Sequence, residues 1–494
     1  MSKVLYISSE AYPLIKTGGL ADVSGSLPTA LLKNSQDIRL LLPAYPEVLK
    51  NINSSKTPKI KILAESSYYN LPVKIIETRL PGTKVIVWLV DCPAVFNRPG
   101  GPYTDQYGQE WSDNALRFAI YCHAAVDIAL NNLSLMWKPD IVHCNDWQSG
   151  LVPALLSLHK NRPATIFTIH NLAYQGVFDH QTFIELQLPN ELWHMDGLEF
   201  YDQLSFLKGG IAFADKITTV SPRYASEILL SKYGYGLDGL LKHRQTDLSG
   251  IINGIDEKHW NPGTDSFLKQ KYNRRTLNNK TINKTSLQSE MSLTVDDSIP
   301  MIGMVSRLVE QKGLEIILQS LKILFNLPCQ LVILGTGEIH YEVQLSKWAK
   351  SNPDRFKVVI GYDESLAHQI EAASDIYLMP STFEPCGLNQ LYSLRYGTLP
   401  IVTHVGGLAD TVTDATEKNI TAGSANGFIL KEQSSSALIE TIRTALKLYQ
   451  KPDIWHQLQI TAMSCDFSWQ TSSEHYISLY EQVLKNQNSN LLAM

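Results

Sequence analysis

Ile376–Leu388 reads IYLMPSTFEPCGL, and this stretch decides the fold. A short apolar run (IYLM) is closed by a proline turn that carries a glutamate, and Gly387 then opens a helical pattern. Working outward, the same strand, loop and helix recur. Met301–Val305 (MIGMV), Gln330–Leu334 (QLVIL) and Lys357–Ile360 (KVVI) precede it, and Leu399–Val402 (LPIV) follows. The first half repeats the style at Val4–Ser8, Val85–Val90, Ile141–His143, Thr165–Ile169 and Lys216–Val220. Apolar strands between helices predict an α/β chain whose parallel sheets are covered on both faces. In such sheets ligands sit beyond the carboxyl ends of the strands.

The 494 residues suggest two or three domains, or two large ones. A hydrophobic fraction of 44% with 18% charged residues is that of a soluble globular protein. The net charge of -5 excludes a dominant polyanion-binding surface, so nucleic acid is not an expected partner. The six cysteines are scattered without a C-x-x-C pair, which fits a reducing cytoplasm rather than a disulfide framework or a zinc site. The start, MSKVLYISSEAYP, has no long apolar signal region, and no apolar run approaches the ~18 residues of a membrane span. Residues 260–299, polar and rich in Asn, Lys and Thr, read as the least structured stretch, and the domain boundary is expected near Gly250. The last helix is expected over about 471–484. GGLAD occurs twice, at Gly18–Asp22 and Gly406–Asp410, each time after a strand and before a helix. This echo favours two similar doubly wound domains.

Several residues are of types that carry chemistry. Lys16-Thr17-Gly18-Gly19 places a mobile cation beside a glycine pair at a helix start, where the backbone can approach a phosphate; a glycine turn next to a solvated lysine is the alternative. Arg307 and Lys312, at a strand end and in the next loop, could neutralise a departing diphosphate or form a surface ion pair. Glu384 could bind sugar hydroxyls or merely complement a helix dipole. The amides of Gly387 and Leu388 could face a phosphate, whereas Cys386 reads as a small buried residue. His170 and Asn171 follow a strand, and His170 could donate to a sugar or serve the structure. Asp146 and Trp147 suit a sugar, with core packing the rival reading for the indole. The chain contains no D-x-D, so positive side chains must take the place of a divalent cation if it transfers sugar.

KTGGLADV, HCNDW, TIHNLAYQG, SRLVEQKG, GYDE, PSTFEPCGL and YGTLPIVTHVGGLADTV stand in the order and spacing of one family. From Val4 to about Trp469 the chain resembles the bacterial glycogen synthases and plant starch synthases. The resemblance implies a GT-B fold, two Rossmann-like doubly wound domains facing a deep cleft. Residues 1–250 would form the acceptor side, 251–469 the nucleotide-sugar donor domain, and 470–494 a helix returning to the first. It implies a retaining glucosyltransferase that uses ADP-glucose and an α-1,4-glucan, with no cofactor and no metal. Arg307, Lys312, Glu384, His170 and Asp22 would be catalytic. Lys16, Gly18, Gly19, Asn171, Tyr362, Cys386, Gly387 and Leu388 would bind the donor, Tyr362 by stacking on adenine. Asp146, Trp147 and Phe96 would lie toward the acceptor. Departures are Thr382, where many relatives have arginine, Asn389, where threonine is frequent, and Phe96, where tyrosine is common. Tyr392 stands where related retaining transferases have a second glutamate. A relative using UDP-glucose and an inactive glucan-binding scaffold are the alternatives.

Overall fold

The protein is described by a computed structural model covering residues 1–54 and 60–492. Residues 493–494, the end of the expected returning helix, lie outside them. The chain divides into two compact units, Met1–Gly254 with Trp469–Met494, and Ile255–Ser468.

The first unit is built on a nine-stranded sheet. Its spatial order is Leu248–Gly250, Lys216–Thr219, Ala164–Ile169, Ile141–Asn145, Lys3–Ile7, Asp37–Pro43, Ile86–Asp91, Leu71–Arg79 and Lys61–Tyr68. The first seven pair in parallel, and the last two add antiparallel. The parallel strands at the centre are buried on both faces, as their unbroken apolar runs require. Chain order reverses between Lys3–Ile7 and Ile141–Asn145. The final helix, Trp469–Leu492, packs on this unit. Asn34 donates to Ser473 Oγ at 2.9 Å, and the Tyr480 hydroxyl meets His143 Nδ1 at 2.8 Å. Tyr476, Tyr480 and Val483 bury its apolar stripe in the core of this unit.

The second unit has six parallel strands in the order Phe356–Ile360, Gln330–Gly335, Met301–Val305, Ile376–Met379, Leu399–Thr403 and Phe428–Leu430. Numbered along the chain, this is 3-2-1-4-5-6, the doubly wound order, with its reversal between Met301–Val305 and Ile376–Met379.

The stretch 260–299 is folded, contrary to the sequence reading. Helix Lys280–Glu290 packs on helix Glu364–Ala373. Buried Lys280 donates to the carbonyls of Glu371 and Ala372 and to Thr398 Oγ1. A polar composition concealed this helix because its buried positions, Leu287 apart, are lysines and amides whose polar ends are satisfied internally. Strands Asp37–Pro43, Lys61–Tyr68, Leu71–Arg79 and Phe428–Leu430 add to those legible in the sequence.

Candidate active site

In the second unit the reversal point opens a cavity of about 150 Å³ at the carboxyl ends of Met301–Val305 and Ile376–Met379. Arg307, Lys312, Ser381, Glu384, Leu388 and Asn389 help to line it. Lys312 Nζ lies 2.5 Å from Glu384 Oε2, and Ser381 Oγ donates to the same oxygen at 3.0 Å. The pair is largely withdrawn from solvent, with side-chain exposures of 16% and 8%, so water screens it little.

Local geometry sets this pair. Gly313, at φ +72°, ends the turn carrying Lys312, and a Cβ there would fall 2.1 Å from the Pro380 carbonyl oxygen. The two loops are tied where the Thr382 amide donates to the Gln311 carbonyl at 2.8 Å. From the other side, the Gly407 amide donates to the carbonyl oxygens of Glu384 and Pro385, both at 3.1 Å. Gly387 takes φ +71° just before the seven-residue helix Asn389–Arg395, whose N-cap is Leu388. Asn389 Nδ2 donates to the Val305 carbonyl and to the Tyr377 hydroxyl, which joins the two strands at the reversal. Cys386 is 4% exposed, so its contribution to the loop is its backbone. Tyr362 is 77% exposed beyond edge strand Phe356–Ile360, outside the set lining the cavity.

In the first unit the corresponding loops follow Lys3–Ile7 and Ile141–Asn145. Glu10, which belongs to none of the sequence motifs, organises the first loop. Its carboxylate accepts from the amides of Thr17 and Gly18 and, at 2.5 Å, from the Tyr103 hydroxyl. Burial raises its pKa, against these donors. The amide of Gly18, expected to face a phosphate, is therefore engaged by a carboxylate. Only the short polar run after the first strand hinted at Glu10. Gly19 is the first residue of the following helix, and Lys16 pairs with Asp22 at 2.8 Å.

Asp146 adopts φ +55° and ψ 179°, a region that side-chain-bearing residues rarely enter. Its carboxylate accepts the His170 amide at 2.7 Å, and its own amide donates to the Thr168 carbonyl at 3.0 Å. Burial pushes its pKa up to about 7, against the His170 and Asn171 amides. Burial pushes His170 down to about 3, so its ring is neutral near pH 7. Asn145 Nδ2 donates to the Ile7 carbonyl, so Asn145 Oδ1 accepts the His170 Nε2 proton at 2.9 Å. His170 thus offers its Nδ1 lone pair, where sequence reading expected a donor. Asn171 Oδ1 accepts the Ala173 amide in a local turn.

Two acceptor-side expectations are corrected. Trp147 is 9% exposed and packed edge-on to Phe118 at 4.9 Å, with Phe178 and Phe206 beside it. Phe96 is 1% exposed and meets Tyr45 at 5.6 Å. Both rings bury large apolar areas in the core, and neither presents a face to a sugar.

Residues 3–243 match the family described as the starch synthase catalytic domain, and residues 289–458 match glycosyl transferases group 1. A glycogen synthase of Cellvibrio japonicus is 56% identical, over 97% of this chain and 99% of that protein. Glycogen synthase 1 of Methylococcus capsulatus is 51% identical, over 99% and 98%. Among solved structures, the catalytic domain of starch synthase IV from Arabidopsis thaliana, bound to ADP and acarbose, aligns with a TM-score of 0.88 at 32% identity. That alignment covers 98% of this chain and 99% of that one. A sucrose-phosphate synthase of Thermosynechococcus elongatus, at 16% identity and a TM-score of 0.58, shares the fold. No described helix is long and apolar enough to cross a membrane. With two doubly wound sheets and near full-length identity of 56%, the chain belongs to the glycogen synthase family of GT-B glycosyltransferases.

Proposed function

We propose that the protein transfers glucose from ADP-glucose to the non-reducing end of an α-1,4-glucan, with retention at the anomeric carbon and release of ADP. The observation that carries this reading is the Lys312–Glu384 pair beside Arg307, in the cavity at the reversal point of the second unit. Arg307 and Lys312 neutralise the charge that grows on the departing diphosphate. Glu384, fixed by Lys312 and Ser381, accepts from hydroxyls of the glucosyl unit. The backbone at Gly387 and Leu388 faces the diphosphate, and exposed Tyr362 offers its ring to the adenine. Residues 251–469 serve as the donor domain, and 1–250 with the terminal helix as the acceptor side. There Lys16 and Asp22 support the donor, Asp146 orients His170, and Asn171 lies beside them.

The bond from the anomeric carbon to the phosphate oxygen breaks, and a new bond forms to the acceptor O4. The O4 proton passes to the departing phosphate on the same face. Glu384 is the one carboxylate among the described lining residues, which favours this course over a covalent intermediate needing a second carboxylate. The ADP-bound starch synthase relative supports an adenine nucleotide. Six free cysteines support a cytoplasmic location.

The test mixes purified protein and glycogen with ADP-glucose or UDP-glucose in EDTA. ADP release with growth of the glucan is the expected result. Turnover with UDP-glucose alone overturns the donor, and glycogen binding without turnover overturns the enzyme reading.

A further inference from the structure

A second cluster of chemistry in the Ile255–Ser468 unit lies outside the residues lining the cavity. His259, Glu364 and His368 bring one ligand atom each within 4.8 Å of one another. Glu364 and His368 stand four residues apart on helix Glu364–Ala373, hence on one face. His259 reaches that face from the turn held by Asp256, whose carbonyl accepts the His259 and Trp260 amides. His259 Nε2 already lies 3.0 Å from Glu364 Oε1. Ligands around a tetrahedral zinc ion at 2.0–2.2 Å are separated by roughly 3.4 Å. These two atoms are therefore near the spacing a metal needs.

The independent observation is the state of His368. Its ring is 0% exposed, and its Nδ1 lies 2.7 Å from Asp265 Oδ2. A carboxylate only accepts, so the proton sits on Nδ1, and Nε2 is left without a hydrogen-bond partner inside the protein. A buried, unpartnered imidazole nitrogen calls for an explanation. Asp265 is itself held by the Tyr396 hydroxyl at 2.6 Å. Trp260 stacks on His368 at 3.8 Å and 9°, which fixes the ring plane. A histidine oriented by a carboxylate on one nitrogen, with its other nitrogen bare, has the outer-shell arrangement typical of metal ligands.

We propose that His259, Glu364 and His368 form a binding site for a divalent transition-metal ion of the zinc class, with Asp265 as the positioning residue for His368. Two imidazoles and one carboxylate suit Zn²⁺ and leave a fourth position for water. His259 and Glu364 have side-chain exposures of 28% and 35%, so they can rotate to complete the geometry and the ion has an entry path. The ion would cross-link the turn at residues 256–260 to helix Glu364–Ala373, two residues beyond Tyr362. The site departs from the sequence expectation of no metal ligands, and it stands apart from the glucosyl-transfer chemistry.

The test strips the full-length protein with chelator and titrates it with Co²⁺, whose visible absorption reports tetrahedral coordination, followed by displacement with Zn²⁺. The expected result is one Co²⁺ per chain, at least tenfold weaker binding in His259→Gln and in Glu364→Gln, and a thermal midpoint raised by Zn²⁺ in the parent only. Both substitutions are at partly exposed side chains, so the fold is retained even if His368→Gln does not fold. No cobalt spectrum, or a spectrum unchanged in both variants (an adventitious ion only), overturns the proposal. Because the readout is spectroscopic, it is independent of turnover and of the donor assignment.

Discussion

The two GGLAD segments have the same residues and different tasks. Gly18–Asp22 follows the first strand of its sheet, at the reversal point, across the loop 8–18. Gly406–Asp410 follows Leu399–Thr403, one strand away from the reversal, with only residues 404–405 between. Gly18 is extended at φ -154°, and a Cβ there would meet nothing within 4 Å. Gly406 sits at φ +43°, and a Cβ there would fall 1.9 Å from the Glu384 carbonyl oxygen. The lysines differ in the same sense. Lys16 pairs with the aspartate of its own GGLAD at side-chain exposures of 34% and 22%, whereas Lys312 pairs with the glutamate braced by the second GGLAD at 16% and 8%. An identical pentapeptide therefore marks a strand-to-helix turn in both places, but not an equivalent position in the two sheets.

The largest effect that would break this contrast is at Gly406. Gly406→Ala should cost about 3 kcal/mol or more and abolish transfer, because strain and a backbone overlap coincide. A denaturation curve matching the parent would show that the loop yields. Next, Lys312→Ala should lower kcat by about 100- to 1000-fold. Lys16→Ala should leave stability within about 1 kcal/mol, as expected for a partly exposed pair. Equal stability losses would erase the distinction. Glu10→Gln should destabilise the first unit by about 1–3 kcal/mol, since a carboxamide cannot accept from three donors as a carboxylate does. Denaturant titration of this variant against the parent reads the loss directly.

A smaller effect lies in pH. His170 is depressed to about 3, so its contribution is complete above about 6.5 and lost as pH falls toward about 3. Asp146 is raised to about 7 from 3.8, so its contribution is complete below about 3.8 and lost as pH rises through about 7. The two slopes oppose each other between these limits. Asp146→Asn should therefore steepen the loss of stability on acidification, and an unchanged slope would discount one of the two groups. The smallest effect is Gly18→Ala, expected within about 0.5 kcal/mol of the parent by thermal unfolding.

Much of the fold is legible along the chain, because strands buried on both faces must be continuously apolar. Ile376–Met379 and Met301–Val305 have the same bounds in sequence and structure. Helix Lys280–Glu290 was not legible, since its lysines are buried by partners distant in sequence. Trp147 and Phe96 misled for a related reason. An aromatic residue beside a polar motif looks the same whether its ring faces a sugar or the core, and Phe118 and Tyr45 decide for the core.

The sequence by itself determined the strand–loop–helix units, the family, and the cations and carboxylates available for chemistry, because these depend on residue type and local spacing. Only the tertiary structure decided which charges meet. The pairing of Lys312 with Glu384, the hold of Glu10 on the amides of Thr17 and Gly18, and the hold of Asp265 on His368 Nδ1 each join residues brought together by packing. Hydrogen bonds and ion pairs act over a few ångströms of space, whatever the separation along the chain.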